Sequence, residues 1–243
     1  MAHISKPIKA LIFDCDGTLI DSEGTHLAAW QQVMRNRGHE LTLQQAASFP
    51  GKPGIEIARS LTQVTGEQDP DVLLQEKCRC YDVLHKQGLP PITGTVDFLK
   101  RVAQEKKRLG LKIGVASAAP RTELLHNLHY LGIDMLCDLV LSGHEDLHHY
   151  HDPEGVNKPK PYIYLESAKI LEVLPQHCVV LEDSTTGVMA GFCAGCMTVA
   201  LPNQFTKHHD LSHAILALET LSDISVEEFL EKVRASVDHT MCV

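Results

Sequence analysis

A doubly wound α/β fold with a helical domain inserted near its start is what this 243-residue sequence predicts. Three observations carry the prediction. Five short apolar runs recur along the chain, and they are continuous rather than alternating, as strands covered on both faces of a parallel sheet must be. Helical patterns separate most of them, which is the alternation of a parallel α/β sheet. The gap between the first two runs is far longer than a crossover helix needs.

The runs span residues 8–14, 111–117, 139–142, 178–183 and 196–201. Residues 95–109 place Val96, Leu99, Val102 and Ala103 on one helical face. Residues 121–131 do the same with Leu124, Leu128 and Leu131, and residues 161–174 predict another helix. Inside the long gap, Leu27, Trp30, Val33 and Met34 form one helical stripe, and Ile57, Leu61 and Val64 form a second. Asp69-Pro70 reads as an N-cap and first-turn pair opening a third helix with Leu73, Cys80 and Leu84 inward. The glycine- and proline-rich residues 88–94 form the return linker. The expected division is a core of residues 1–21 and 92–243 and an insert of residues 22–91. Beyond residue 201 the only signal is a helix over residues 226–235.

Apolar residues make up 44% and charged residues 22%, enough to bury a core without cross-links. The formal charge, 22 − 31 = −9, excludes a broadly basic nucleic-acid footprint. The first residues lack a signal-peptide apolar core, and no run approaches the roughly 18 apolar residues of a membrane span. The eight cysteines make no disulfide framework: Cys15, Cys137 and Cys178 lie in or beside apolar runs. The single Cys193-Ala-Gly-Cys196 has no matching second pair to complete a zinc site. A reduced, cytoplasmic, monomeric protein is expected, with neither membrane nor nucleic acid as a partner.

The strongest chemical signal is Asp14-Cys15-Asp16-Gly17-Thr18-Leu19-Ile20-Asp21-Ser22, at the end of the first apolar run. Asp-Gly-Thr can be a simple turn. That reading leaves unexplained a second acidic strand end, Leu181-Glu182-Asp183-Ser184. Ligands of this architecture sit beyond the carboxyl ends of the strands. Two acidic ends there concentrate negative charge that implies a bound divalent cation. Oxygen donors favour Mg²⁺ over zinc.

These residues carry a resemblance. Asp14 to Ser22, then Ser117 after an apolar run, then Lys158-Pro159-Lys160-Pro161, then Glu182-Asp183-Ser184-Thr185-Thr186-Gly187 are similar, in order and spacing, to the four motifs of the haloacid dehalogenase-like superfamily. The resemblance covers residues 8–201 and implies a Rossmann-like core. The insert resembles the helical cap of the subgroup containing phosphoglycolate phosphatases and β-phosphoglucomutase. By resemblance, Asp14 is the nucleophile that attacks phosphorus, and Asp16 is the general acid and base whose backbone carbonyl also binds Mg²⁺. Ser117 and the Ala118 amide hold the transferring phosphoryl group, and Lys158 neutralises charge. Asp183 and Glu182 hold the metal directly or through water. Four carboxylates against Lys158 and a divalent cation leave one net negative charge, or none with Asp16 protonated. The dehalogenase branch lacks the second aspartate, so Asp16 points to phosphate chemistry.

In the insert, Lys52 lies in Gly51-Lys52-Pro53-Gly54, where the subgroup has a substrate-contacting loop, and His26 falls where β-phosphoglucomutase has a functional histidine. Arg59 and Lys77 are further candidates. Lys160 reads as a solvated side chain, and so do the clustered histidines His144, His148, His149 and His151, the alternative being a transition-metal site. The expected function is a Mg²⁺-dependent phosphatase for a small phosphorylated metabolite such as a sugar phosphate. A phosphosugar mutase is the second reading. A non-catalytic binder is disfavoured because it needs no nucleophile and base pair.

Overall fold

The computed structural model describes residues 7–49 and 54–240, with side chains through residue 237. The chain divides into two compact units, Met1–Ile20 with Pro91–Val243, and Asp21–Pro90. The first begins with β1 (Ala10–Phe13), after which the chain enters the second.

The Asp21–Pro90 unit is helical: α1 (Ser22–Asn36), α2 (Leu43–Ala47), α3 (Gly54–Thr65) and α4 (Pro70–Lys86). Asp21 caps α1 by accepting from the Gly24 amide at 2.7 Å. Asp69 caps α4, with Pro70 in its first turn where a missing N–H costs nothing. Trp30, Val33, Met34, Phe49, Ile57, Ala58, Leu61 and Leu73 form the unit's own core. Val64 does not join them and is 40% exposed. Helix α2 has no counterpart in the apolar pattern because none of its residues is buried; a Thr42–Gln45 capping box opens it instead.

The α/β unit continues with α5 (Thr93–Leu109), β2 (Lys112–Ser117), α6 (Arg121–Tyr130), β3 (Leu139–Ser142), α7 (Tyr162–Ile170), β4 (Cys178–Glu182), α8 (Thr185–Cys193), β5 (Met197–Ala200), β6 (Leu216–Ala217) and α9 (Val226–Thr240). All six strands are parallel, in the order β3-β2-β1-β4-β5-β6. The order reverses at β1, where this architecture opens its ligand crevice. Strands β1, β4 and β5 are buried at every residue, the physical reason their sequences run apolar without alternation. On one side α5 packs against α9 through Phe98 and Phe229, ring centroids 4.9 Å apart. Tyr164, Ala168, Leu171 and Ala190 belong to the apolar cluster formed with Ile12, Ala116 and Val180 of the strands.

Three expectations need correction. The helix anticipated over residues 161–174 stops at Ile170, because the chain turns through Glu172 at φ 54° and Pro175 disfavours helix at Leu174. The sixth strand has only two residues, neither of them buried, so no apolar run announces it. Helix α8 was missed because its Gly, Ala, Thr and Cys residues make no amphipathic stripe. No described helix is long and apolar enough to cross a membrane.

Candidate active site

Strand β1 ends at Phe13, so Asp14 is the first residue past its carboxyl end, and its amide donates to the Leu181 carbonyl of β4 at 3.0 Å. The chain then doubles back: the amides of Leu19 and Ile20 donate to the Cys15 carbonyl, at 2.8 and 3.1 Å. Gly17 makes this turn at φ +82°, and a Cβ there would lie 2.3 Å from Oδ2 of Asp183. Only glycine meets both demands. Strand β4 ends at Glu182, and Ser184 caps α8 by accepting from the Gly187 amide at 3.1 Å. Strand β2 delivers Ser117, and the loop before α7 delivers Lys158.

These side chains converge. The Lys158 ammonium donates to Oδ1 of Asp14 at 2.5 Å and to Oε1 of Glu182 at 2.6 Å. Tyr164 donates to the same Glu182 oxygen at 2.8 Å, and the ammonium sits 5.2 Å from the centre of its ring. Glu182 Oε2 accepts from the Asp183 and Ser184 amides and the Ser184 hydroxyl, at 3.1, 3.3 and 3.1 Å. Both Glu182 oxygens are thus engaged by protein donors. Ser117 donates to Oδ2 of Asp16 at 2.9 Å and accepts from the Ala119 amide at 3.0 Å. Ala118 is exposed at the end of β2.

Burial pushes the Asp14 carboxyl well above the usual range; Lys158 opposes this, while Glu182, Asp16 and Asp183 add to it. Burial, then Glu182, raises Asp183 to about 8 against the pull of Lys158 and Asn203. Burial pulls Lys158 down, yet Asp14 and Glu182 outweigh it and hold the ammonium well above its ordinary value. One lysine is therefore too little positive charge for this pocket. Asp14, Glu182 and Asp183 can each offer one oxygen within 4.8 Å of the others. An oxygen-only, buried, over-negative set fits a hard divalent cation. The Asp16 side chain turns to Ser117 and is not in that group.

Lys52 is outside the described residues. His26, on α1 of the helical unit, has Nδ1 2.8 Å from Lys77 Nζ and stacks on Tyr81 with ring centres 4.2 Å apart. An ammonium can only donate, so Nδ1 accepts and the ring proton is on Nε2. Arg59 is exposed on α3. Lys160 pairs with Glu154 at 2.6 Å. The loop histidines take separate partners, His149 Glu166, His144 Glu145 and His148 the Glu145 carbonyl, and do not converge on a metal site among the described residues. Two residues escaped the sequence reading. No motif singles out Tyr164, five residues after the Lys158-Pro159 pair, and its place in an apolar stretch gives no hint of its hydroxyl. Asn203, whose amide reaches both Gly17 and Asp183, lies in a loop with no pattern at all.

Residues 11–201 match the model of the haloacid dehalogenase-like hydrolases. Fructose-1-phosphate phosphatase YqaB of Escherichia coli (strain K12) is 31% identical over 186 residues, 76% of this chain and 92% of that protein. The phosphorylated carbohydrates phosphatase of Thermotoga maritima is 29% identical over 193 residues, 77% of this chain and 82% of its own. Among solved structures, a hydrolase of this family from Deinococcus radiodurans R1, with bound phosphate and sodium, superposes with a TM-score of 0.71 at 28% identity, covering 94% of this chain and 97% of that one. The β-phosphoglucomutase of Clostridium difficile does so at 0.64 and 25% identity, covering 95% and 99%. With its four acidic, hydroxyl and lysine motifs gathered at one sheet edge, this chain belongs to the haloacid dehalogenase-like hydrolases.

Proposed function

We propose that the protein is a Mg²⁺-dependent phosphatase that hydrolyses a small phosphorylated metabolite of the sugar-phosphate class through an aspartyl-phosphate on Asp14. The observation that carries this reading is the Lys158 ammonium shared between Asp14 and Glu182 beside the Ser117–Asp16 pair. This arrangement of Asp14, Lys158 and Asp16 at the strand ends supports reading them as nucleophile, cation and acid–base group.

Asp14 attacks phosphorus, and the ester oxygen leaves with a proton from Asp16. Asp16 then takes a proton from the water that cleaves the Asp14 acyl phosphate, which frees inorganic phosphate and restores both carboxyls. Lys158 draws charge from the phosphoryl oxygens and holds Asp14 in line, itself anchored by Glu182 and Tyr164. Ser117 and the Ala118 amide offer hydrogen bonds to the phosphoryl group. Asp14, Asp183 and the Asp16 carbonyl would hold the cation, which offsets negative charge on the transferring group. Glu182, whose oxygens are already engaged, serves it by charge and through water. The unit from residue 21 to 90, with His26 and Lys52, acts as the cap that selects the substrate. The named activities of YqaB and the Thermotoga phosphatase support the sugar-phosphate class.

A mutase is the second reading, favoured by the likeness to the Clostridium structure. The test is phosphate release from a panel of sugar phosphates with wild type and Asp14→Asn. The variant should fall below about 1% of wild type, a barrier rise of more than about 2.7 kcal/mol. Retained turnover removes Asp14 as nucleophile. Conversion of β-glucose 1-phosphate to glucose 6-phosphate outpacing phosphate release establishes the mutase instead.

A further inference from the structure

We infer that Asn203 is a positioning residue for the cation site: it orients the Asp183 carboxylate and ties it to the turn that carries Asp14 and Asp16. The inference rests on the reading above that Asp183 is a ligand of the divalent cation.

The side-chain amide of Asn203 is fully used, and its two ends face different groups. Its Oδ1 accepts from the Phe205 and Thr206 amides at 2.8 and 3.2 Å. Its own backbone amide donates to the Thr206 hydroxyl at 3.0 Å, and the Thr206 side chain is buried. This small ring of bonds sets which way the amide points and leaves Nδ2 aimed at the site. Nδ2 then donates to the Gly17 carbonyl at 3.1 Å and to Oδ2 of Asp183 at 2.9 Å. Both protons of the NH₂ group have an acceptor, and both acceptors belong to the acidic motifs.

A carboxylate turns easily about its last torsion, which is broad and roughly two-fold. Two things stop Asp183 from turning. One is the close approach of Oδ2 to Gly17, near enough that a Cβ there would be 2.3 Å away. The other is Asn203. With Oδ2 held between them, the place of the second oxygen is set before any cation arrives. Partners of this kind usually change metal affinity by about 10- to 100-fold when removed. The same amide spans the loop after β5 and the turn after β1, so it also fixes the turn relative to Asp183.

The test uses metal-free full-length protein. Mg²⁺ is titrated while the melting temperature is followed, and the Mg²⁺ activation midpoint is measured with an aryl phosphate. Asn203→Ala should move both midpoints upward by about 10-fold or more, while kcat at saturating Mg²⁺ recovers to within a few-fold of wild type. A merely structural role would lower the melting temperature equally with and without Mg²⁺ and leave the midpoints unchanged, which overturns the inference. Asn203→Ser gives the same readout if the alanine variant does not fold, because a serine hydroxyl can still accept from the following amides but is too short to bridge Gly17 and Asp183. Wild-type protein that Mg²⁺ neither stabilises nor activates overturns the cation site itself and this inference with it. A responsive wild type with unmoved variants overturns the role of Asn203 alone.

Discussion

Gly187 stands against Glu182 so closely that a Cβ on the glycine would lie 1.8 Å from the carboxyl carbon. Glycine here is not a helix break but a space kept for a side chain. The Glu182 carboxylate lies over the first turn of α8, where the Ser184 amide and hydroxyl reach it and the positive end of the helix favours it. From there it reaches Lys158.

Gly187→Ala should therefore displace Glu182 and release one of the two carboxylates that hold Lys158. Alanine is the better helix former by about 1 kcal/mol, so α8 itself gains nothing from glycine. Activity on an aryl phosphate should drop by about 100-fold or more, equal to about 2.7 kcal/mol in barrier, with Glu182 forced from its place. Steady-state kinetics beside a melting curve check this; unaltered kcat would mean that Lys158 does not depend on Glu182.

Asp16→Ala should slow sugar-phosphate hydrolysis more than aryl-phosphate hydrolysis. A sugar oxygen needs a proton to leave, whereas a phenolate with an electron-poor ring does not. Rates across aryl phosphates of graded leaving-group pKa should show a steeper dependence in the variant. An equal loss on every ester would place Asp16 outside the acid step.

Removal of divalent cations by EDTA should silence the enzyme, and Mg²⁺ should restore it. The donors at Asp14, Glu182 and Asp183 are all oxygen, and the clustered histidines of residues 144–151 do not converge on the same point. Zinc restoring more activity than magnesium would contradict the oxygen-donor argument.

His26 gives a pH dependence of stability whose sign follows from its surroundings. Burial, then the Lys77 ammonium, lowers it from 6.5 to about 4. Between those values the unfolded chain binds a proton that the folded His26 refuses, so stability is complete above pH 6.5 and is lost as pH falls toward 4. The loss is on the order of 3 kcal/mol at most, less to the extent that water screens the site. Chemical denaturation at pH 7.5 and pH 5, for wild type and His26→Gln, measures it. The variant should lose less stability than wild type over that interval, and identical losses would refute the shift.

The acid strand ends were legible because their chemistry is local. Asp14 and Asp183 are the first residues past β1 and β4, Glu182 ends β4 and Asp16 follows β1 by three residues, so pattern and position coincide. Tyr164 is fully buried, and nothing in the apolar pattern says that its hydroxyl meets Glu182, 18 residues away. Helix α2 and strand β6 escaped because neither buries a residue, and periodicity reports burial alone.

By itself the sequence determined the parallel α/β core, and it singled out the acids, the serine and the lysine whose side chains meet in the structure. Strands buried on both faces must be apolar throughout, and phosphoryl chemistry needs those functional groups at strand ends. Only the tertiary structure decided how they are held. Lys158 divides itself between Asp14 and Glu182, Gly187 leaves the space that Glu182 occupies, and Asn203 reaches across 186 residues to Gly17. Those relations depend on the sheet order, which brings β1 and β4 side by side although the chain separates them widely. A hydrogen bond or a van der Waals limit acts over a few ångströms of space, and distance along the chain carries no record of it.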